Sequence, residues 1–456
     1  MEKKIPSGVS KDRLARIARF WIENGSPRPE RRGGVRVNAE RQQQKVMIRD
    51  HIQSFTCRSS HYARRGAPGR KYLPNDLSIS KMYRLFEEQN HVQVTFSLYH
   101  SVFSYNFNLG FGSPAKDVCG TCTQFRLRMK DPEMSIEEKQ RASAMQMLHR
   151  RRGRRFYDLL NEVNDSLTIC FDMMENLVLP KTPVGRAYYS RQLYLYVFGV
   201  VRHLGRNLGQ GRETIDLYVW REDQNKKDSN MISSALWHYF TNVLSDQLSD
   251  FNTLRLFSDS CYGQNKNINT LAMLFALKKK CLSHMDIKYF FPVRGHSFLP
   301  CDRAFGRIER EIKTHDTVSL PTEYIDMLKH HGRVRVYGED WCSYDFKGEV
   351  RRHVKQARSF KLSEARVLSI DGDQLGLRPT YNGEFSHYPV LKKGGNWARF
   401  TPSALPAFNN VSMKKKNDVI TLLAEMGAAR DVRGFYDTCL KNVNANAGRE
   451  SDSDSD

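Results

Sequence analysis

Leu254-Arg-Leu-Phe-Ser-Asp259, followed by Ser260-Cys-Tyr-Gly-Gln-Asn-Lys-Asn267, reads as a short buried strand that ends on an acid and opens into a polar knot ahead of a helix. Working outward, Ile268 to Leu282 predicts a buried helix, Ile287 to Val293 a strand, and Pro300 to His315 a helix with proline in its first turn. Upstream, Ser229 to Leu248 has helical spacing through Met231, Leu236, Phe240 and Leu244. Thr214 to Trp220 alternates, Leu193 to Val201 is an aromatic and β-branched run, and Leu167 to Phe171 is a short apolar one, so all three predict strands. The link Arg202 to Arg212 carries glycines at 205, 209 and 211 and suits a hairpin turn. The order is three strands, helix, strand, helix, strand, helix.

Many α/β folds share the later alternation, and few begin with a three-stranded meander. The order therefore predicts an RNase H-like domain over 163–318, an α/β mixed sheet flanked by helices. Residues 1–40, rich in Arg, Gly, Pro and Ser, read as a disordered basic arm. Helical spacing at Ile79, Met82, Tyr83 and Phe86, and again at Leu98, Val102, Phe103 and Phe107, makes 41–112 a helical region. The polar link Asn90 to Gln93 leaves two readings, a helix-turn-helix for a DNA groove or a plain scaffold hairpin. Residues 113–162 hold a Cys-x-x-Cys segment and a charged helix from Ser135 to about Asn161. Residues 319–445 read as a small C-terminal α+β region, with short strands at 334–336, 343–346, 366–370 and 388–391 and helices at 417–426 and 432–440. The Ser/Asp tail, 446–456, reads as disordered.

The 456-residue chain carries a formal net charge of +22, which favours a polyanionic partner such as DNA through counterion release. No apolar run approaches the ~20 residues that span a bilayer, so no membrane partner is expected. Met1 to Ser10 is polar, unlike a secretion signal, and nine scattered cysteines fit a reducing compartment. Basic clusters at 150–155, 278–280 and 414–416 suit a nuclear location, and the oligomeric state, homodimer or higher, is left open.

Asp172 ends the first strand, Asp259 the fourth, and Asp302 opens the last helix. In the expected sheet the first and fourth strands are parallel neighbours, so Asp172 and Asp259 would sit side by side with Asp302 above them. Three carboxylates at one edge repel each other unless cations intervene, which points to two Mg²⁺ or Mn²⁺ ions and phosphodiester chemistry. Taken singly, each aspartate is equally a turn former or helix cap. Glu309, two turns beyond Asp302, is an alternative third ligand or a partner for Arg303, Arg307 or Lys313. His296 could contact the scissile phosphate or shuttle a proton. Gln264, Asn265, Lys266 and Asn267 suit phosphate contacts or an N-cap, and Arg150, Arg151, Arg154 and Arg155 a backbone clamp. Cys119 and Cys122 are half of a tetrahedral Zn²⁺ site, with Cys57 and His61 upstream and His149 downstream as candidates to complete it.

Phe171-Asp172, Ser258-Asp-Ser-Cys-Tyr-Gly-Gln-Asn-Lys-Asn267, and Gly295-His296 followed by Asp302 resemble an uncharacterised eukaryotic, transposon-derived family with a DDE/D transposase-like core. Ser60-His-Tyr-Ala-Arg64, Tyr72-Leu73, Tyr83 and Asp117-Val-Cys-Gly-Thr-Cys122 look like the region preceding that core, so the likeness covers roughly 50 to 440. The resemblance implies Asp172, Asp259 and Asp302 as an acidic triad in a transposase or nuclease. The chain departs from the family pattern at Ser260, where asparagine is common, and at Ser297 and Phe298, where threonine and a second histidine are usual. The alternatives are a domesticated, catalytically inactive DNA-binding protein on the same fold, and a zinc-stabilised interaction module, which the charge disfavours.

Overall fold

The computed structural model describes residues 10–26, 39–55, 57–59, 71–74, 77–90, 92–111, 119–162, 165–205, 211–356 and 360–444. The chain divides into two compact units, Met1–Lys116 and Asp117–Asp456.

The first unit begins with α1 (Lys11–Asn24), where a disordered arm was expected. Leu14, Ile17 and Trp21 recur at helical spacing. The Ser10 hydroxyl caps the helix by accepting the Arg13 N–H at 3.4 Å, and Gly25 ends it at φ +66°. The flanking Gly, Pro and Ser hid this local pattern. Then come α2 (Ala39–Ser54), β1 (Arg58–Ser59), β2 (Lys71–Leu73), α3 (Ile79–Asn90), α4 (Phe96–Asn106) and β3 (Leu109–Phe111). Ile48, Ile52, Met82, Phe86, Tyr99 and Val102 form its core, with His51 Nδ1 2.9 Å from the Tyr99 hydroxyl. The region is not purely helical as expected, because β1, β2 and β3 make a small sheet. Strands of two or three residues are too short to show a period.

The second unit opens with α5 (Gly120–Lys130) and α6 (Ile136–Leu160). Ser135 and Glu138 close a capping box on α6, and the two helices pack as a hairpin. Then follow β4 (Leu167–Met173), β5 (Leu177–Leu179), β6 (Leu193–Arg202), β7 (Ile215–Arg221), α7 (Ser229–His238), β8 (Thr253–Phe257), α8 (Ile268–Lys280), β9 (Asp286–Phe290) and α9 (Pro300–Ile312). Apart from the short β5, this is the expected order. Next come α10 (Pro321–Lys329), β10 (Arg333–Val336), α11 (Phe346–His353), β11 (Val367–Asp371), β12 (Gln374–Arg378), β13 (Ser386–Pro389), β14 (Val411–Ser412), α12 (Met413–Glu425), α13 (Arg430–Cys439) and β15 (Val443–Asn444).

One mixed sheet of ten strands runs β10-β7-β6-β4-β8-β9-β11-β12-β13, with β5 on β6. β6 is antiparallel to β4 and β7, whereas β8 is parallel to β4 and β9. The C-terminal α+β region is therefore not separate, since it supplies both margins of the same sheet. β10 lies parallel to β7, held by Arg333 and Arg335 on the fully buried Asp216 carboxylate at 2.5 and 3.3 Å. β11 lies antiparallel to β9. The strand expected at 343–346 instead leads into α11, whose N-cap Asp345 accepts the Gly348 N–H at 2.8 Å.

Alternate strand residues feed two cores, as the two-residue period of a doubly covered sheet requires. Phe171, Phe198 and Leu256 pack under α7, α8 and α11. Cys170, Val197 and Phe257 pack under Phe156 of α6 and Ile308 of α9, together with α10, α12 and α13. No helix among the described residues is long and apolar enough to cross a membrane.

Candidate functional site

Asp172 follows Cys170 by two residues within β4, so it faces the α9 side of the sheet, and Asp259 lies two residues past Phe257, beyond the end of β8, where its charge acts on Asp172. Cys170 pairs with Phe257 in the parallel β4–β8 ladder, an offset of 257 − 170 = 87, which is also 259 − 172 = 87. The two acids thus occupy matching positions just past the paired residues. α9 brings the third. Cys301, Ala304, Phe305 and Ile308 form its buried stripe, which leaves Asp302 in the first turn, accepting the Leu299 N–H at 2.5 Å.

The approach of α9 depends on Gly199, the residue paired with Asp172 on β6. A Cβ there would lie 2.8 Å from Phe305 Cε1 and Cζ. The Cys301 thiol donates to the Gly199 carbonyl at 3.6 Å.

Burial, then the negative charges of Asp259 and Asp302, push the Asp172 carboxyl well above the usual carboxylate range. Burial also raises Asp259, against the hydrogen bonds of Asn265 and Cys261 and the positive charge of Lys227. Asp259 Oδ1 accepts the Asn265 amide at 2.6 Å and the Cys261 N–H at 3.0 Å, and Asp172 Oδ1 accepts the Met173 N–H at 2.8 Å. Each Oδ2 has no hydrogen-bond donor among the described residues. One oxygen of each carboxylate is thus fixed by hydrogen bonds within the fold. Glu309 lies about 10.5 Å along the helix axis from Asp302, at ~1.5 Å per residue, and the largest charge effects on Asp172 come from Asp259 and Asp302 instead.

The polar knot divides its labour differently from the phosphate-contact reading. Asn267 is the N-cap of α8, accepting the Asn269 and Thr270 N–H groups at 3.0 Å each. Lys266, only 3 % exposed, donates to the Ser363 and Ala365 carbonyls at 3.0 and 2.7 Å. Burial lowers its ammonium to about 8. Asn265 is fully buried and orients Asp259. These three side chains are buried and hydrogen-bonded within the fold, and Gln264, half-buried, is the one left partly open. On α6, Arg150, Arg151 and Arg154 are exposed, and Arg155 is half-buried 3.8 Å from Glu162.

His296 is not placed as a phosphate contact or proton shuttle. Its Nε2 lies 3.1 Å from His149 Nε2 and 3.6 Å from Cys122 Sγ, and Cys119 Sγ lies 3.1 Å from His149 Nε2. Cys119, Cys122, His149 and His296 all bring their ligand atoms within 4.8 Å of one another and could hold a metal ion. The Cys-x-x-Cys pair is thus completed by His149 and His296. Cys57 belongs to the first unit, where its thiol donates to the Phe55 carbonyl at 3.5 Å, and His61 lies outside the described residues.

Sequence reasoning missed Lys227, whose charge acts on both Asp172 and Asp259 and whose Nζ donates to Asn176 at 3.1 Å. It sits in a loop with no motif to announce it.

A family model described as a domain of unknown function, DUF7869, matches residues 187–371. The match runs from ahead of β6 to the end of β11 and contains Asp259 and Asp302, with Asp172 upstream of it. No curated protein and no solved structure matches the chain.

Proposed function

We propose that the second unit is an RNase H-like, DDE/D-type nuclease or transposase core of transposon origin, acting on DNA with two Mg²⁺ or Mn²⁺ ions. The observation that carries this reading is the convergence of three acids, Asp172 and Asp259 at matching positions past the paired Cys170 and Phe257, with α9 seated on Gly199 bringing Asp302 close enough that its charge, like that of Asp259, acts on Asp172. Buried carboxylates that repel one another are stable as anions only beside cations, and an all-oxygen donor set suits hard divalent ions. The meander followed by βα alternation supports the fold assignment.

Asp172, Asp259 and Asp302 would hold the ions, which when bound supply a clamp on the attacking and leaving oxygens of an in-line displacement. The chain's own residues prepare that site. Asn265 and the Cys261 N–H fix the rotamer of Asp259, and the close seat of α9 on Gly199 brings Asp302 over Asp172. Lys227 offsets part of the negative charge and would meet a substrate phosphate. The exposed arginines of α6 would hold the DNA backbone. We assign the protein to the nucleus on the same grounds as to DNA.

A second reading, a catalytically inactive DNA-binding descendant, is favoured by Ser297 and Phe298, which depart from the family pattern. Labelled DNA incubated with Mg²⁺ or Mn²⁺ and either the parent or Asp259→Asn separates the two. The nuclease reading expects cleavage by the parent alone. Equal cleavage by both, or by neither, removes it, and salt-dependent binding that survives the substitution then leaves the second reading.

A further inference from the structure

We propose that Cys119, Cys122, His149 and His296 form a closed, structural Zn²⁺ site that fastens the α5–α6 hairpin to the loop from which α9 starts. Zinc with two thiolates at about 2.3 Å and two imidazoles at about 2.0–2.1 Å has tetrahedral edges of about 3.3–3.8 Å. The contacts here are 3.1 Å between the two Nε2 atoms, 3.1 Å from Cys119 Sγ to His149, and 3.6 Å from Cys122 Sγ to His296. These three edges are close to that polyhedron, and all four ligand atoms lie within 4.8 Å of one another. Two soft sulfurs and two imidazoles select zinc over the hard ions proposed for the carboxylates. Four protein ligands leave no open position for substrate or water, which marks the site as structural.

The surroundings are built around these four side chains. Cys119 is the N-cap residue of α5 but makes no capping hydrogen bond, so its sulfur is turned to the cluster. Gly295 has φ +76°, and a Cβ there would meet the Cys119 Cα and Cβ at 2.8 Å. Gly153 on α6 would place a Cβ 3.1 Å from His296 Cγ. Two glycines therefore let a loop and a helix close on the ligands. The Tyr157 hydroxyl donates to the His296 carbonyl at 2.9 Å and accepts the Phe298 N–H at 3.0 Å, tying the loop to α6 a second time. From His296 the chain reaches Asp302 in six residues. Zinc would thus anchor, on one side, the helix that bears the exposed arginines and, on the other, the approach to the acidic edge.

The test uses the full chain. Elemental analysis of the purified parent should give about one zinc per chain, retained in Asp172→Asn and lost in Cys122→Ser and in His149→Ala. Co²⁺ exchanged into the parent should show the visible bands of a tetrahedral thiolate site. Because a ligand variant can fail to fold, the parent is also treated with a zinc-selective chelator in Mg²⁺ buffer and followed by hydrogen exchange. Protection should fall in 120–160 and 294–298 and return on adding zinc, while β4, β6 and β8 stay protected. Gly295→Ala, which leaves all four ligands in place, should weaken zinc retention tenfold or more, the scale of a disturbed outer shell. A parent that holds neither zinc nor Co²⁺, iron in place of zinc, unchanged stoichiometry in both ligand variants, or chelation without a local change in exchange would overturn the assignment. None of these results depends on nuclease activity.

Discussion

Replacing Gly199 with alanine puts a Cβ 2.8 Å from two ring carbons of Phe305, where ordinary contact begins near 3.4 Å. About 0.6 Å must be found somewhere. Phe305 is 5 % exposed and cannot swing into solvent, and β6 is an interior strand, so α9 must lift. Overpacking of this kind costs about 1–3 kcal/mol, a factor of roughly 5 to 150 in the folded population at ~1.4 kcal/mol per decade. Asp302 lies one turn before Phe305 and moves with it, so the carboxylate edge loosens as well. Misplacement of the order of 1 Å at a reacting centre can cost about 100-fold in rate. Urea unfolding and the proposed Mn²⁺-dependent DNA cleavage would measure the two effects in one preparation. Phe305→Leu removes the clashing ring atoms, so the double variant should recover about 0.5–3 kcal/mol relative to the sum of the single ones. Strict additivity, or Gly199→Ala with the parent's midpoint, would refute the claim that this close approach seats α9.

Three further outcomes follow from the same geometry. The unfolded Asp172 carboxyl titrates near 3.8 and the folded one higher, so between those values the folded chain holds the extra proton. Without divalent ions, stability is then greatest at the acid end of that window and falls as pH rises through the folded value. Mg²⁺ should flatten this slope and Asp172→Asn should reduce it; urea midpoints across pH check both. Lys266→Met removes the donor to the Ser363 and Ala365 carbonyls and should cost about 1.5–3 kcal/mol, with no change in the salt dependence of DNA binding. Conversely, Arg151→Ala with Arg154→Ala should leave stability within ~0.5 kcal/mol and lower the slope of log K against log salt by about 2, read by fluorescence anisotropy.

How much of this could be read beforehand follows from the range of each signal. β4, β6, β7 and β8 are buried on both faces, so they read as near-continuous apolar runs, and the order of elements from Leu167 to Ile312 was legible. Asp172 and Asp259 were legible because each terminates such a run. The grouping of His296 with Cys119, Cys122 and His149 was not, since His149 lies 147 residues away on a helix whose charged face shows no metal spacing. The margins of the sheet were obscure for a related reason. β10 joins β7 through Asp216, Arg333 and Arg335, charges that on a short segment look solvent-facing until their partner is known. Lys266 and Asn267 were legible only as alternatives, because a polar run before a helix resembles a binding loop whether its side chains turn outward or, as here, inward, and for Asn267 the N-cap alternative is the one the structure has.

The central claim is that Asp172, Asp259 and Asp302 share divalent ions. Crystals soaked in Mn²⁺ and measured at the manganese edge test it most directly. The account predicts two anomalous peaks about 3.5–4 Å apart, bounded by the three carboxylates and absent in Asp259→Asn. Manganese found elsewhere, with the acidic edge bare at saturating concentration, would contradict it.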